Sequence, residues 1–194
     1  MNAGSCYHIY NRGINKQPIF FQEDNYVYFL QLFKKYLGAH VKVLAYCLMP
    51  NHFHFFLRIE HQEALCSQVT NLNVVEKAFK DFFISYAKAV NKRYDRTGGL
   101  FQYKFKRKEV EDIHHYTWLT YYLHNNPVKA GLCLLPGDWK FSSYNAYITD
   151  KETMIAKEEV LSWFGGREQF VLFHRSNIEA DVNYKVFEEL YIRL

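Results

Sequence analysis

The chain has 194 residues, about one domain on a ~150-residue prior, and 24 Lys+Arg against 20 Asp+Glu leave a net charge of only +4. With 49% hydrophobic residues and only 9 Gly and 4 Pro it can bury a core, which excludes a disordered or low-complexity polymer. No apolar run approaches the ~20 residues of a membrane helix, and residues 1–10 lack the basic start, apolar middle and small-residue cleavage site of a secretion signal, so a cytosolic location is expected.

Residues 7–10 read as a short strand and 24–36 as a helix, with Tyr28, Phe29, Leu32 and Phe33 on one stripe and Asp24 or Asn25 as cap. Residues 41–48 are rich in β-formers, Met49-Pro50-Asn51 makes a tight break, and 52–59 resume as a second strand, which predicts a hairpin. Residues 74–94 carry Val75, Phe79, Phe82, Phe83, Tyr86 and Val90 at helical spacing, and Thr97-Gly98-Gly99 closes that unit. A strand at 108–110 and a helix over 115–125 follow. The helix is expected to stop before Pro127, because the residue preceding a proline is biased away from helical angles. Beyond about residue 147, short helices are expected at 158–164, 167–173 and 183–192. The order β, α, β, β, α, β, α predicts an α+β fold, a ferredoxin-like antiparallel sheet with helices packed on one face. Residues 1–147 form the main domain, and 148–194 form a helical extension packed on it.

The four cysteines, Cys6, Cys47, Cys66 and Cys133, stand singly, so neither a zinc knuckle nor a disulfide framework is indicated and reduced thiols are expected. Aromatic residues make up 19% of the chain, which suits a sheet-rich core and equally supplies platforms for stacking bases. The charge is unevenly placed: residues 88–108 hold eight bases, among them Lys104, Lys106, Arg107 and Lys108, against the single acid Asp95. Interleaved with Phe101, Tyr103 and Phe105, these cations fit a phosphate backbone with bases nearby, and they fit equally a solvated helix end and loop.

In His52-Phe53-His54-Phe55-Phe56-Leu57, strand alternation sends His52 and His54 to one face and Phe53, Phe55 and Leu57 to the other. Two imidazoles on one face can hold a divalent ion, although by chance such a pair is more often two surface histidines. In Tyr122-Leu123-His124-Asn125-Asn126-Pro127, Tyr122 and Asn126 lie four apart, on one face if the helix persists that far. A tyrosine beside a metal can attack phosphorus and store a phosphodiester bond as phosphotyrosine. On spacing alone Tyr122 is first a packing aromatic, and Tyr116, Tyr121 and Tyr144 compete with it for any chemical role.

Four segments occur in order: Tyr7-His8-Ile9-Tyr10-Asn11-Arg12-Gly13; Met49-Pro50-Asn51-His52-Phe53-His54; the run from Tyr122 through Asn126, Pro127 and Lys129 to Leu132; and Ser142-Ser143-Tyr144-Asn145-Ala146-Tyr147. Together they resemble the HUH single-tyrosine transposases, of the REP-associated tyrosine transposase branch, over roughly residues 7–173. The resemblance implies a ferredoxin-like catalytic domain that cleaves and rejoins single-stranded DNA near hairpins through a 5′-phosphotyrosine intermediate, with Mg²⁺ or Mn²⁺ as cofactor. It implies Tyr122 as nucleophile, His52, His54 and Asn126 as metal ligands, and Asn11, Arg12, Gln102, Lys104, Lys106, Arg107 and Lys108 as DNA-binding residues. It further implies a hairpin-bearing single strand as partner, a monomer or homodimer, no membrane, and a cytoplasmic, nucleoid-associated site of action in a bacterium. The chain departs from the family at Phe101, where Trp is frequent, and at Lys129, where Arg is frequent; 176–194 match nothing in it.

Two other readings stand beside this one. A non-catalytic module on a similar sheet could bind single-stranded nucleic acid with incidental histidines, although no RNP1-like run is present. HUH chemistry could also serve replication or plasmid mobilisation, but the segments after Tyr122 resemble those of the transposases.

Overall fold

The computed structural model describes residues 1–60, 72–102 and 104–177. Four strands, β1 (Cys6–Arg12), β2 (Val41–Met49), β3 (His52–Ile59) and β4 (Lys106–Val110), form an antiparallel sheet in the order β2-β3-β1-β4. Helix α1 (Glu23–Leu37) connects β1 to β2, and α2 (Leu72–Arg93) precedes β4. This is the βαββαβ order of a ferredoxin-like sheet, with β3 between β1 and β2, and it is the α+β class expected from the sequence. Among the described residues no helix is long and apolar enough to cross a membrane, and Cys6, Cys47 and Cys133 are free thiols. Cys66 and the helix expected at 183–192 lie outside the described residues.

Alternation along β3 builds the core. Phe53, Phe55 and Leu57 enter the face covered by α1 and α2, and all three are essentially unexposed. Phe29 of α1 sits at the hub of this layer, with ring centroids 5.3 Å from Phe53, 4.7 Å from Phe82 and 4.8 Å from Tyr86, while Phe33 stacks on Phe55 at 4.4 Å. Helix α1 is not capped by Asp24 or Asn25, as the sequence suggests. Gln22 is the cap, and Asn25, one turn in, reaches back so that its Oδ1 accepts from the backbone N–H groups of Phe21 and Gln22.

The opposite face carries Phe56 and the histidines, and a second helical layer covers it: α3 (Ile113–Lys129), α4 (Tyr144–Ile148), α5 (Lys157–Phe164) and α6 (Arg167–Ser176). Tyr116 of α3 and Trp163 of α5 pack on Phe56. Helices therefore lie on both faces of the sheet; the one-face arrangement describes α1 and α2 alone, because the second face of β3 is also too apolar to leave in water. The residues after 147 pack into this same layer, where Phe170 lies fully buried against Tyr147.

Helix α3 does not stop before Pro127. It runs through the proline to Lys129 and ends where Gly131, at φ +69°, takes the left-handed conformation, with Leu132 N–H donating to the Pro127 carbonyl and Gly131 N–H to that of Val128. With so few residues beyond it, Pro127 removes only one ladder bond, that to the Leu123 carbonyl, and the glycine cap sets the boundary. On β2, the outer strand, residues 141–143 lie along the edge: Leu48 N–H donates to the Phe141 carbonyl and Ser143 N–H to that of Tyr46, each at 2.9 Å. The Ser142-Ser143 segment thus covers a sheet edge.

Because Phe29 touches both the sheet and α2, Phe29→Ala is expected to lower unfolding free energy by about 3–5 kcal/mol. Urea denaturation should show this as a lower midpoint with an unchanged slope.

Candidate active site

His52 and His54 leave β3 on the α3 side, 9% and 0% exposed, with ring centroids 5.1 Å apart. The register with β1 sets Tyr10 opposite His54, and the rings of His8, Tyr10 and His54 form a stack, with His8 4.6 Å from Tyr10 and 5.1 Å from His54. His8 Nε2 lies 2.9 Å from His54 Nδ1, so one nitrogen carries the proton and the other accepts it. Both remaining nitrogens, His8 Nδ1 and His54 Nε2, are buried without a hydrogen-bond partner. With the shared proton on His54 Nδ1, His54 Nε2 presents an unengaged lone pair. His52 is held differently. Its Nδ1 lies 2.6 Å from Asn51 Oδ1, an acceptor, so Nδ1 bears the proton and Nε2 the lone pair. The His52 ring also hydrogen-bonds with Asn126.

Helix α3 supplies the facing wall. The Tyr122 ring meets His54 edge-on, with centroids 5.7 Å apart and planes at 90°, and is 2% exposed. Asn126, one turn later, donates from Nδ2 to the Tyr122 carbonyl at 2.9 Å. Tyr121 points away, since its hydroxyl donates to the Asn177 carbonyl and accepts from Asn125 Nδ2 at 3.0 Å. Tyr116 packs on Phe56, and Tyr144 stands over Phe170 and His124. Of the four tyrosines that compete on sequence, the structure brings Tyr122 to the histidines.

A chain of neutral donors and acceptors holds α3 in place. Ser143 Oγ accepts from Tyr46 N–H at 2.9 Å and lies 2.7 Å from His124 Nε2; His124 Nδ1 lies 3.0 Å from His174 Nε2, and His174 Nδ1 lies 2.8 Å from the Phe170 carbonyl. Since a carbonyl can only accept, His174 Nδ1 bears a proton, and each link then follows in one direction back to Ser143. The chain ties α3 to β2, to the 142–143 edge segment and to α6.

Burial keeps these imidazoles uncharged. Desolvation pulls His52 down to about 4, helped by the positive charge of Arg12, and pulls His8 down to about 3, helped by Lys108. His54 is driven well below 6.5 by burial and by the neighbouring His52, His8 and Arg12. Neutral imidazoles with lone pairs are what a metal ion requires. The orphaned Nε2 of His54, with His52 Nε2 and the Asn126 amide beside it, gives a donor set that a divalent ion fits. No group of three His, Cys, Asp or Glu side chains poised for a metal occurs among the described residues, so an ion there would depend on Asn126 and on oxygens from water or substrate.

The basic residues that are contiguous in sequence separate in space. Lys106 stands opposite Tyr10 and over its ring at 5.8 Å, and Lys108 stands opposite His8; with Arg12 they belong to the histidine face. Asn11, Gln102, Lys104 and Arg107 instead line a cleft of about 970 Å³ between β1, the 101–107 segment and α2. Phe83, Phe101 and Phe105 form part of its wall, and Lys77 and Lys80 of α2 join its rim. Bases nearer the end of α2 have structural tasks: Arg93 pairs with Asp24 at 2.6 Å, and Arg96 lies over Phe21. Sequence reasoning missed His8, Lys77 and Lys80. Period-two alternation already puts His8 on the Tyr10 face, but which strand lies opposite is a tertiary fact.

Comparison with protein-family models and with curated proteins gives no match. Among solved structures, the chain is similar to a REP-associated tyrosine transposase bound to a REP hairpin, with a TM-score of 0.60 at 15% identity over 76% of this chain and 81% of that one. The chain therefore has a REP-associated tyrosine transposase-like fold.

The buried neutral histidines make stability depend on pH with a defined sign. Each has a folded-state value below the ordinary 6.5, so the unfolded chain binds more protons and stability falls as pH drops from about 6.5 toward the folded value. His174, pulled down to about 4 by burial, is expected to account for about 2 kcal/mol of the loss between pH 7 and 5. His174→Gln, which keeps a donor and an acceptor but does not titrate, should shrink by that amount the stability difference measured by denaturant unfolding at the two pH values.

Proposed function

We propose that the protein is a metal-dependent single-stranded DNA transposase that cleaves and rejoins DNA near hairpins through a 5′-phosphotyrosine intermediate. The observation that carries this reading is the convergence at β3: the one helix that sets Tyr122 against His54 also brings Asn126 to His52. The fold shared with a REP-associated tyrosine transposase, itself bound to a hairpin, supports it.

In this reading the Tyr122 oxygen attacks the scissile phosphorus, a tyrosyl P–O bond forms, the bond to the 3′ oxygen breaks, and that oxygen leaves as a 3′-OH. One phosphodiester replaces another, so the energy for rejoining is kept. His52, His54 and Asn126 would hold a divalent ion, Mg²⁺ or Mn²⁺, which supplies charge to polarise the scissile phosphate. His8 orients His54 through its ring nitrogen, and Asn51 orients His52. Arg12, on the same face and close enough to depress both imidazoles, is placed to meet a phosphate oxygen. Because Tyr122 is 2% exposed, the phosphate reaches it only after the side chain rotates or α3 shifts. That burial is the one observation favouring the alternative, a non-catalytic single-strand binding module.

Tyr122→Phe removes one oxygen and keeps the ring, so it should abolish cleavage of a labelled hairpin strand while preserving binding. Tyr121→Phe should still cleave, at a stability cost of about 1 kcal/mol per lost hydrogen bond. Wild type with 3′-labelled hairpin DNA and Mn²⁺ should yield a covalent adduct that survives boiling in detergent. An adduct from the Tyr122→Phe protein would refute the assignment, and the absence of any adduct from wild type would favour the binding module.

Chelation should stop cleavage without changing the circular dichroism spectrum, and Mn²⁺ should restore it better than Mg²⁺, since nitrogen ligands suit the softer ion. His52→Ala and His54→Ala should remain inactive in saturating Mn²⁺, and His8→Ala should lose about 10–100-fold in metal affinity, read by calorimetric titration.

A further inference from the structure

The cleft between α2 and the 101–107 segment lies on the far side of the sheet from His52 and His54, because side chains alternate along β1 and β4. Asn11 points into it, whereas Tyr10 and Arg12, its neighbours in the chain, belong to the histidine face. Arg107 likewise lines it, whereas Lys106 lies over Tyr10. The cleft's volume, about 970 Å³, falls within the range that holds small ligands. Its chemistry is mixed in a telling way: Phe83 and Phe105, both half-buried with ring centroids 5.5 Å apart, give an aromatic wall, and Lys77, Lys80, Lys104 and Arg107 line the cleft with Glu76 as the one carboxylate.

We infer that this cleft is a second nucleic-acid site, which takes an unpaired nucleobase of the single strand against Phe83 and Phe105 while the lysines and Arg107 hold the flanking phosphates. Aromatic faces accept any base by stacking, and cations at the rim neutralise the backbone on either side. Arg107 is available for this although it pairs with Glu76, because both partners are exposed and such pairs are readily exchanged for a phosphate. Among the described residues β4 is an edge strand, and its run Lys106-Arg107-Lys108 sends cations to both faces. A strand can therefore pass from the histidine face around β4 into the cleft on a continuous basic path. The inference rests on the single-strand reading above and adds to it where the strand is gripped away from the reacting bond.

The test uses the full chain and a synthetic single strand that contains one stem-loop with unpaired tails on both sides. Abasic sites are placed one position at a time along the tails, and binding is read by fluorescence anisotropy. One or two adjacent abasic positions should weaken binding about tenfold, and the rest should have little effect. Phe105→Leu, which keeps an apolar side chain but no aromatic face, should bind intact and abasic strands alike. Lys80→Ala, a change at an exposed site, should weaken both equally and reduce the salt dependence. A flat abasic profile with tight binding of the intact strand would overturn the cleft assignment and leave the strand-transfer reading standing. The same holds if the sensitive positions persist unchanged in Phe105→Leu. Failure of wild type to bind any such strand would overturn both.

Discussion

The arrangement depends on the two-residue alternation of β3 and on the aromatic packing that locks its register. Phe53, Phe55 and Leu57 fill the layer under α1 and α2, so the intervening His52, His54 and Phe56 must face α3. A slip of one residue would drive two imidazoles into the phenylalanine core and expose three large apolar side chains, a cost far beyond the few kcal/mol by which domains are stable. The position of the histidines is thus enforced by the side chains that do no chemistry. The same constraint acts on β1, where Ile9 is buried in the core and His8 and Tyr10 stack against His54 on the other face.

The second wall of the site is secured by polar means. Helix α3 carries a buried run from Leu119 to Pro127, several of whose members are polar, and each polar group needs a partner. The Ser143-His124-His174 chain provides several of these partners and gives the Ser142-Ser143-Tyr144 motif a physical purpose. It caps the open edge of β2 and at the same time sets the rotation of α3. Since neighbouring positions on a helix point about 100° apart, that rotation is what decides between Tyr121 and Tyr122.

Polar atoms left unsatisfied in a well-packed interior mark where function takes precedence over stability. His8 Nδ1, His54 Nε2 and Arg12 Nε are of this kind, and all three lie around the candidate site. Burial makes such atoms costly, and it also keeps the imidazoles neutral and able to donate lone pairs. The cations of the 104–108 run add a second economy. By alternating across an edge strand they serve two faces at once, one bearing the histidines and one bearing the aromatic cleft.

Local pattern determined a good deal by itself. The alternating run of β3 was legible down to both of its ends, and so was the order of elements that makes a ferredoxin-like sheet, because strand and helix periods act over a few residues. The pairing of two imidazoles on one face followed from the same period. What local pattern could not supply was anything that depends on which element lies opposite which. The helix end at Gly131 and not at Pro127 turned on a cap completed by residues beyond it, and the layer of helices on the second face turned on how much apolar surface β3 still had to hide. The meeting of Tyr122 with His54, the pairing of His8 with His54 and the division of the basic run between two faces were decided only when the sheet closed. Each depends on strand register and helix rotation, and these are set by the summed packing of residues far apart in the chain.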